Sequence, residues 1–191
     1  IGPMMKGEDR ANMRLGWASV LERLPESARV NCASGLLSHA EDATDHNLPL
    51  MYWFGIRDLP PTELVKLVKD CRIPLVTQFI ARRITEDIDK GPAPLNTLLG
   101  LANDSKLEGL SANILIGMTD ALKGWRKAKK PEAWDKFVAA LKRTDNAEVK
   151  KLEAVPGAES IPVRSQVAML RDLEVLFGDG RALDEVRAIA L

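Results

Sequence analysis

From Leu48 to Ile56 the chain reads Leu-Pro-Leu-Met-Tyr-Trp-Phe-Gly-Ile, and only Gly55 interrupts its apolar character. A helix at a protein surface carries a polar face, and this run has none. It therefore predicts a short helix covered on nearly all sides by neighbouring elements. Its start is marked by Asp45, His46 and Asn47 as cap candidates and by Pro49, whose missing N–H costs nothing in a first turn. Its stop is Pro60-Pro61, which cannot continue a helix and pushes Leu59 out of the helical region. Leu50, Met51, Trp53, Phe54 and Ile56, with Phe79 and Ile80 from a later stripe, are thus the expected structural core motif. Full burial of Trp53 would make Trp53→Ala cost about 3–5 kcal/mol.

The rest of the chain repeats the helical period. Met13, Trp17, Val20, Leu21 and Leu24 form a stripe that leaves Arg10, Arg14, Glu22 and Arg23 outside, until Pro25 breaks it. A second helix is expected from about Glu26 to Ala40, with Cys32, Ala33, Leu36 and Leu37 inward. Glu41 to Asp45 reads as an acidic, solvated turn. Thr62 is the expected cap of a helix carrying Leu64, Val65, Leu67 and Val68, and Pro74 opens one with Leu75, Val76, Phe79, Ile80 and Ile84 inward. Gly91-Pro92-Ala93-Pro94 is the most loop-like stretch, so 90–94 is the expected internal joint.

Beyond it come a short helix from Leu95 and a turn and cap at Asn103-Asp104-Ser105. A longer helix follows, with Leu107, Leu110, Ile114, Leu115, Met118, Leu122 and Trp125 inward. Pro131 then opens a helix with Trp134, Phe137, Val138 and Leu141, and Asp145 or Asn146 caps a short one ending before Pro156-Gly157. A last pair has Val163, Val167, Leu170, Leu173, Leu176 and Phe177 on one helix, a Gly178-Asp179-Gly180 turn, and Leu183, Val186 and Ile189 on the other. No stretch alternates with the two-residue period of a strand.

About eleven helices joined by short Pro- or Gly-containing turns predict an all-α chain of antiparallel neighbours. The expected architecture is an irregular HEAT/armadillo-like α-α superhelix, a single domain over 1–191, although the helix pairs are spaced unevenly against the regular period of such repeats. An irregular multi-helix bundle is the alternative. The final helix stops without a Gly, Asn or Pro signal, which points to a fragment of a longer chain. Its apolar stripe at Leu183, Val186 and Ile189 would then favour self-association.

Charge and motifs narrow the chemistry. Twenty-seven Lys plus Arg balance twenty-seven Asp plus Glu, so no global field draws the chain to nucleic acid. No run reaches the roughly 18 apolar residues of a membrane span. Cys32 and Cys71 are too few for a zinc or haem motif and read as buried small hydrophobes, with a disulfide left open. His39 and His46 are the only histidines. A His46/Met51 pair has the donor types of a haem axial set, but a cap or turn role for His46 fits better. Glu41, Asp42 and Asp45 lack the ligand spacing of a calcium loop.

Lys123-Gly124-Trp125-Arg126-Lys127-Ala128-Lys129-Lys130 interleaves cations with an aromatic, and Arg126, Lys127, Lys129 and Lys130 are the candidate interaction surface. The plainer reading is cations that complement a helix C-terminus, with both Trp125 and Trp134 inward. No catalytic, cofactor-binding or metal-binding residue is expected.

Two motifs carry a family resemblance. Asn47-Leu48-Pro49-Leu50-Met51-Tyr52-Trp53-Phe54-Gly55-Ile56 and Ile73-Pro74-Leu75-Val76-Thr77-Gln78-Phe79-Ile80-Ala81-Arg82-Arg83-Ile84 resemble the helical middle region of membrane-bound-dehydrogenase-type proteins of planctomycete-type bacteria. Those proteins join a sugar-dehydrogenase-like β-propeller, a HEAT-like region and a cytochrome c-type haem domain. At Arg57-Asp58 the chain departs from the acidic-Pro pair of that family. The helix series, the neutral charge balance and the open-ended last helix point to a non-enzymatic scaffold segment that spaces or docks flanking domains; the resemblance implies that those neighbours are redox domains, in an exported or cell-envelope setting. Haem or a quinone-type cofactor would sit only in those flanking domains. A nucleic-acid-binding helical repeat of the DNA-glycosylase type and a freestanding helical enzyme are the alternatives.

Overall fold

The structure is a computed structural model that describes residues 5–104, 109–141 and 163–178. The expected features at Leu107, Ser105, Asp145, Asn146, Pro156-Gly157, Gly180, Leu183, Val186 and Ile189 lie outside the described residues.

Among the described residues the fold is all-helical. In chain order the helices are α1 (Ala11–Val20), α2 (Glu26–Leu36), α3 (Leu48–Ile56), α4 (Pro61–Val68), α5 (Pro74–Glu86), α6 (Ala93–Asp104), α7 (Leu110–Ala121), α8 (134–141) and α9 (Val163–Leu176), with short 3-10 turns at Leu21–Arg23 and Ala40–Thr44. Prolines set the boundaries as the residue types dictate. Pro25 precedes α2, and Pro60 precedes α4, which begins on Pro61. Thr62 lies inside α4 rather than capping it, because the second proline has already taken the first helical position.

Packing follows a simple order. Helices two places apart along the chain pack together: α1 on α3, α2 on α4, α3 on α5, α4 on α6, α5 on α7 and α7 on α9. Consecutive helices α2 and α3, α4 and α5, α5 and α6, and α6 and α7 also touch. The α5–α7 contact is the most extensive, and small residues permit it. Gly117 on α7 faces α5 so closely that a Cβ there would lie 2.7 Å from the Ala81 Cβ. Thr77, Ala81 and Thr85 bury one face of α5, and Val76, Ile80 and Ile84 bury another. Gln78 Nε2 donates to Asn113 Oδ1 at 2.8 Å across the same pair.

One continuous apolar core runs through these contacts, from Leu21 and Leu36 by way of Tyr52, Leu64 and Ile80 to Leu98, Ile114, Trp134 and Leu173. It includes Ile88 and Leu95, on either side of the Gly91-Pro92 turn. Trp134 packs against Phe137 at 5.8 Å and Phe177 at 5.1 Å, which ties 134–141 to the end of α9.

Two stripes differ from their expected phase. On α1, Met13 is exposed and Arg14 is buried, so the inward line is Arg14, Ala18 and Leu21. Position 14 can turn inward because its charge finds a buried carboxylate. On α5, Leu75 is exposed while Val76 is buried, because Ile73 and Thr77, not Leu75, close the corner where α5 begins.

Candidate functional site: the outward face of α3 and α5

The apolar run splits into two faces. Leu48, Pro49, Tyr52, Gly55 and Ile56 are buried, against α1, α2 and the Leu21–Arg23 turn. Gly55 is required there, since a Cβ at this position would meet the Leu21 side chain at 2.7 Å. The opposite side of α3 is not covered. Leu50 is 39% exposed and Phe54 50% exposed, and Met51 and Trp53 are half-buried. All-round burial is therefore corrected for Leu50 and Phe54: α1, α2, α5 and the two 3-10 turns leave them uncovered, and a helix without a polar stripe has apolar side chains at those positions.

Leu50, Trp53 and Phe54 stand at i, i+3 and i+4 and so share a helix face. Trp53 stacks on Phe79 of α5 with ring centroids 5.4 Å apart and planes tilted by 32°. Phe79 is half-buried, and Leu75, one turn earlier on α5, is exposed. The Arg57 guanidinium carbon lies 5.2 Å from the Phe54 ring centroid, a cation–π contact that closes the C-terminal end of the face. The result is an outward aromatic and aliphatic surface spanning two adjacent helices. Of the expected core motif, Ile56 and Ile80 are interior.

The start of α3 is secured by Asp45, whose Oδ1 accepts from the Asn47 and Leu48 backbone N–H groups, each at 2.8 Å. Those two bonds, Leu48 first, hold the Asp45 carboxyl below the usual carboxylate range. His46 is exposed and makes no cap bond.

Beneath the outward face lies a polar cluster that the apolar pattern does not reveal. Arg14 and Asp42 are 2% and 3% exposed. Arg14 Nε donates to Asp42 Oδ2 at 2.8 Å and Nη2 to Oδ1 at 2.6 Å, a bidentate pair. Tyr52, the only tyrosine in the chain, donates its hydroxyl to Asp42 Oδ2 at 2.7 Å. Arg14 Nη1 donates to the Glu8 carbonyl at 2.8 Å. The bond to Asp42 holds Arg14 charged more firmly than usual, against the cost of burial. Burial first, and the bond to Asp42 second, push the Tyr52 phenol well above its ordinary range, so it stays a donor.

His39 extends the cluster, with Nδ1 2.9 Å from Glu41 Oε1 and Nε2 2.6 Å from the Met5 carbonyl. Both partners accept, so the ring makes both bonds when doubly protonated and one of the two when neutral. The Glu41 carboxyl is lowered, first by its own backbone N–H and then by His39. The expectation that Glu41 to Asp45 is wholly solvated is corrected at Asp42, which the 3-10 turn at Ala40–Thr44 directs inward. Both Asp42 oxygens are engaged, and the arrangement pins α1, the 3-10 turn and α3 together. Nothing in the periodicity signalled it, because the apolar stripe read from the sequence leaves Arg14 outside.

The remaining candidates are dispersed. Cys32 and Cys71 are free and buried, and burial raises both thiols. The helix expected to run through Trp125 ends at Ala121, with Gly124 in the left-handed region at φ 85°, so the cations lie in a loop instead of on a helix C-terminus. Trp125 is half-buried in that loop, and Trp134 is interior in α8. Arg126, Lys127 and Lys129 are exposed, whereas Lys130 is half-buried and pairs with Asp135 at 2.7 Å. Among the described residues, no group of three or more His, Cys, Asp or Glu is placed to hold a metal ion, and no helix is long and apolar enough to cross a membrane. No family model, curated protein or solved structure matches the chain.

Proposed function

We propose that this chain is a non-catalytic helical-repeat segment that docks and spaces neighbouring domains. Its helices form an irregular HEAT/armadillo-like superhelix. Two observations support the architecture: helices contact partners two places along the chain, as stacked helix pairs do, and the turns from α3 to α4, α4 to α5 and α5 to α6 are short. The observation that carries the docking role is the outward face of Leu50, Trp53, Phe54, Leu75 and Phe79, an apolar surface on adjacent helices with the Trp53 and Phe79 rings in contact. The family resemblance falls on the two helices that build this face, which favours a redox domain of the same parent protein as the occupant, with haem or a quinone-type cofactor in that domain.

The test is co-purification of the chain with the domains that flank it in its parent protein, comparing wild type with a Leu50→Lys/Phe54→Lys variant. Loss of association in the variant, with helicity retained, is the expected result. Equal association of both forms would remove this face from the docking role.

A further inference from the structure

The loop between α7 and α8 carries a second surface, independent of the α3–α5 face. Its backbone is held at three points. Trp125 N–H donates to the Leu122 carbonyl at 3.0 Å, Ala128 N–H donates to the Leu176 carbonyl of α9 at 3.0 Å, and Trp134 N–H donates to the Pro131 carbonyl at 3.1 Å. The reversal after α7 falls on Gly124, whose φ of 85° favours glycine. Along the segment the inward positions recur every third residue: Trp125 is half-buried, and Ala128 and Pro131 are buried. The intervening positions hold the cations, and Arg126, Lys127 and Lys129 all face solvent.

Lys123, just beyond α7, is exposed as well. These four cations form no ion pair among the described residues, whereas Lys130 is engaged by Asp135. Four cations unpaired among the described residues, on a pinned backbone, lose little conformational freedom when a partner binds, apart from that of their own side chains. The surface is also bounded. Asp120 precedes it and Glu132 follows it, both exposed. A long phosphate backbone crossing the loop would meet those carboxylates, and the Trp125 ring is held against the core rather than presented for stacking on bases. A short acidic segment fits within the boundary.

We infer that Lys123, Arg126, Lys127 and Lys129 form a docking surface for a short acidic segment of a partner protein. Its attraction is electrostatic, steers association and weakens as salt rises. The pinned loop fixes the register of the cations, and the acidic margins limit the length of partner that fits.

The experiment measures fluorescence anisotropy of a labelled Glu- and Asp-rich peptide on the whole chain, at low and moderate salt. Arg126→Gln/Lys127→Gln/Lys129→Gln should weaken binding about tenfold, because each exposed pair contributes little singly and the three sum. Arg23→Gln/Lys66→Gln/Lys69→Gln, an equal charge change at exposed sites on or beside α4 and the Leu21–Arg23 turn, should leave binding within about twofold, since these cations are not part of the loop. Equal weakening by both variants would overturn the inference by reducing it to net charge. Absence of peptide binding to the wild-type chain at low salt would also overturn it. So would a single-stranded oligonucleotide or anionic phosphatidylserine vesicles that bind the loop and are not displaced by the peptide. A Phe54→Lys variant should bind the peptide as wild type does, which separates this surface from the α3–α5 face.

Discussion

Tyr52 and Asp42, ten residues apart, meet through a 2.7 Å hydrogen bond from the phenol to a carboxylate oxygen that Arg14 Nε also reaches. Around this point α1, α3 and the turn between α2 and α3 are locked. Removing one member should cost more than removing the whole polar cluster. Asp42→Ala leaves the buried Arg14 guanidinium with only the exposed Glu41 carboxylate, 3.4 Å away, as counter-charge, which should destabilise by about 3–5 kcal/mol. Tyr52→Phe removes a bond to a charged group and should cost about 1.5–3 kcal/mol. Replacing both charges, as Arg14→Met/Asp42→Leu, should recover a large part of the Asp42→Ala loss. Urea unfolding of the three variants decides it, and a double variant less stable than Asp42→Ala would contradict the assignment.

The two faces of α3 separate stability from surface. Ile56→Ala, at a fully buried position, should cost about 2–5 kcal/mol. Leu50→Ser and Phe54→Ser, on the exposed face, should stay within about 1 kcal/mol of wild type. Trp53→Ala should fall between them, because half-burial and one ring contact with Phe79 replace the full burial expected from sequence. Thermal or urea denaturation of the four variants, ranked in this order, checks the division.

Gly117 is where α5 and α7 approach most closely. An added Cβ would run into the Gln78 carbonyl and lie 2.8 Å from the Arg82 amide nitrogen, and both are backbone atoms that cannot swing aside. Gly117→Ala should therefore cost about 1–3 kcal/mol through displacement of the two helices, even though alanine is the better helix former. Gly100→Ala, with open space around its position, should be neutral or stabilising by helix propensity. A Gly117→Ala variant as stable as wild type would mean that the crossing is looser than described.

Acid should weaken the helix junctions selectively. The Asp45 carboxyl is lowered by backbone N–H groups, Asp70 by Ser34 and Lys6, and Asp87 by Lys90 and Arg83. Each folded-state value lies below the unfolded one, so each group contributes stability that is present above its unfolded value of about 3.9 and is lost as pH falls through the folded value. Unfolding free energy should thus decline from about pH 5 downward. Asp45→Asn should flatten that decline, because an amide oxygen can still cap the helix but does not titrate. A pH profile identical in wild type and Asp45→Asn would count against the cap.

The residue pattern alone specified the class of structure and the helix boundaries that fall beside prolines. Prolines at 25, 49, 60, 61 and 74 act through local sterics, which need no knowledge of distant residues, and the helices begin and end beside them. The buried stripe of α4 at Leu64, Val65, Leu67 and Val68 was legible for the same reason, since its polar face is explicit. Where a helix has no polar face, periodicity cannot choose a side. Leu50 and Phe54 are as apolar as Leu48 and Ile56, and only the placement of α1, α2 and α5 decides which of them meets solvent. The Arg14–Asp42–Tyr52 cluster was hidden by the opposite effect. Charge predicts exposure unless a partner is present, and that partner lies 28 residues away from Arg14, brought into range by the 3-10 turn and the packing of α1 on α3. Local sterics and periodicity act within a few residues and are written in the sequence. The choice of buried face and the pairing of buried charges depend on contacts between distant residues, so the tertiary structure decided them.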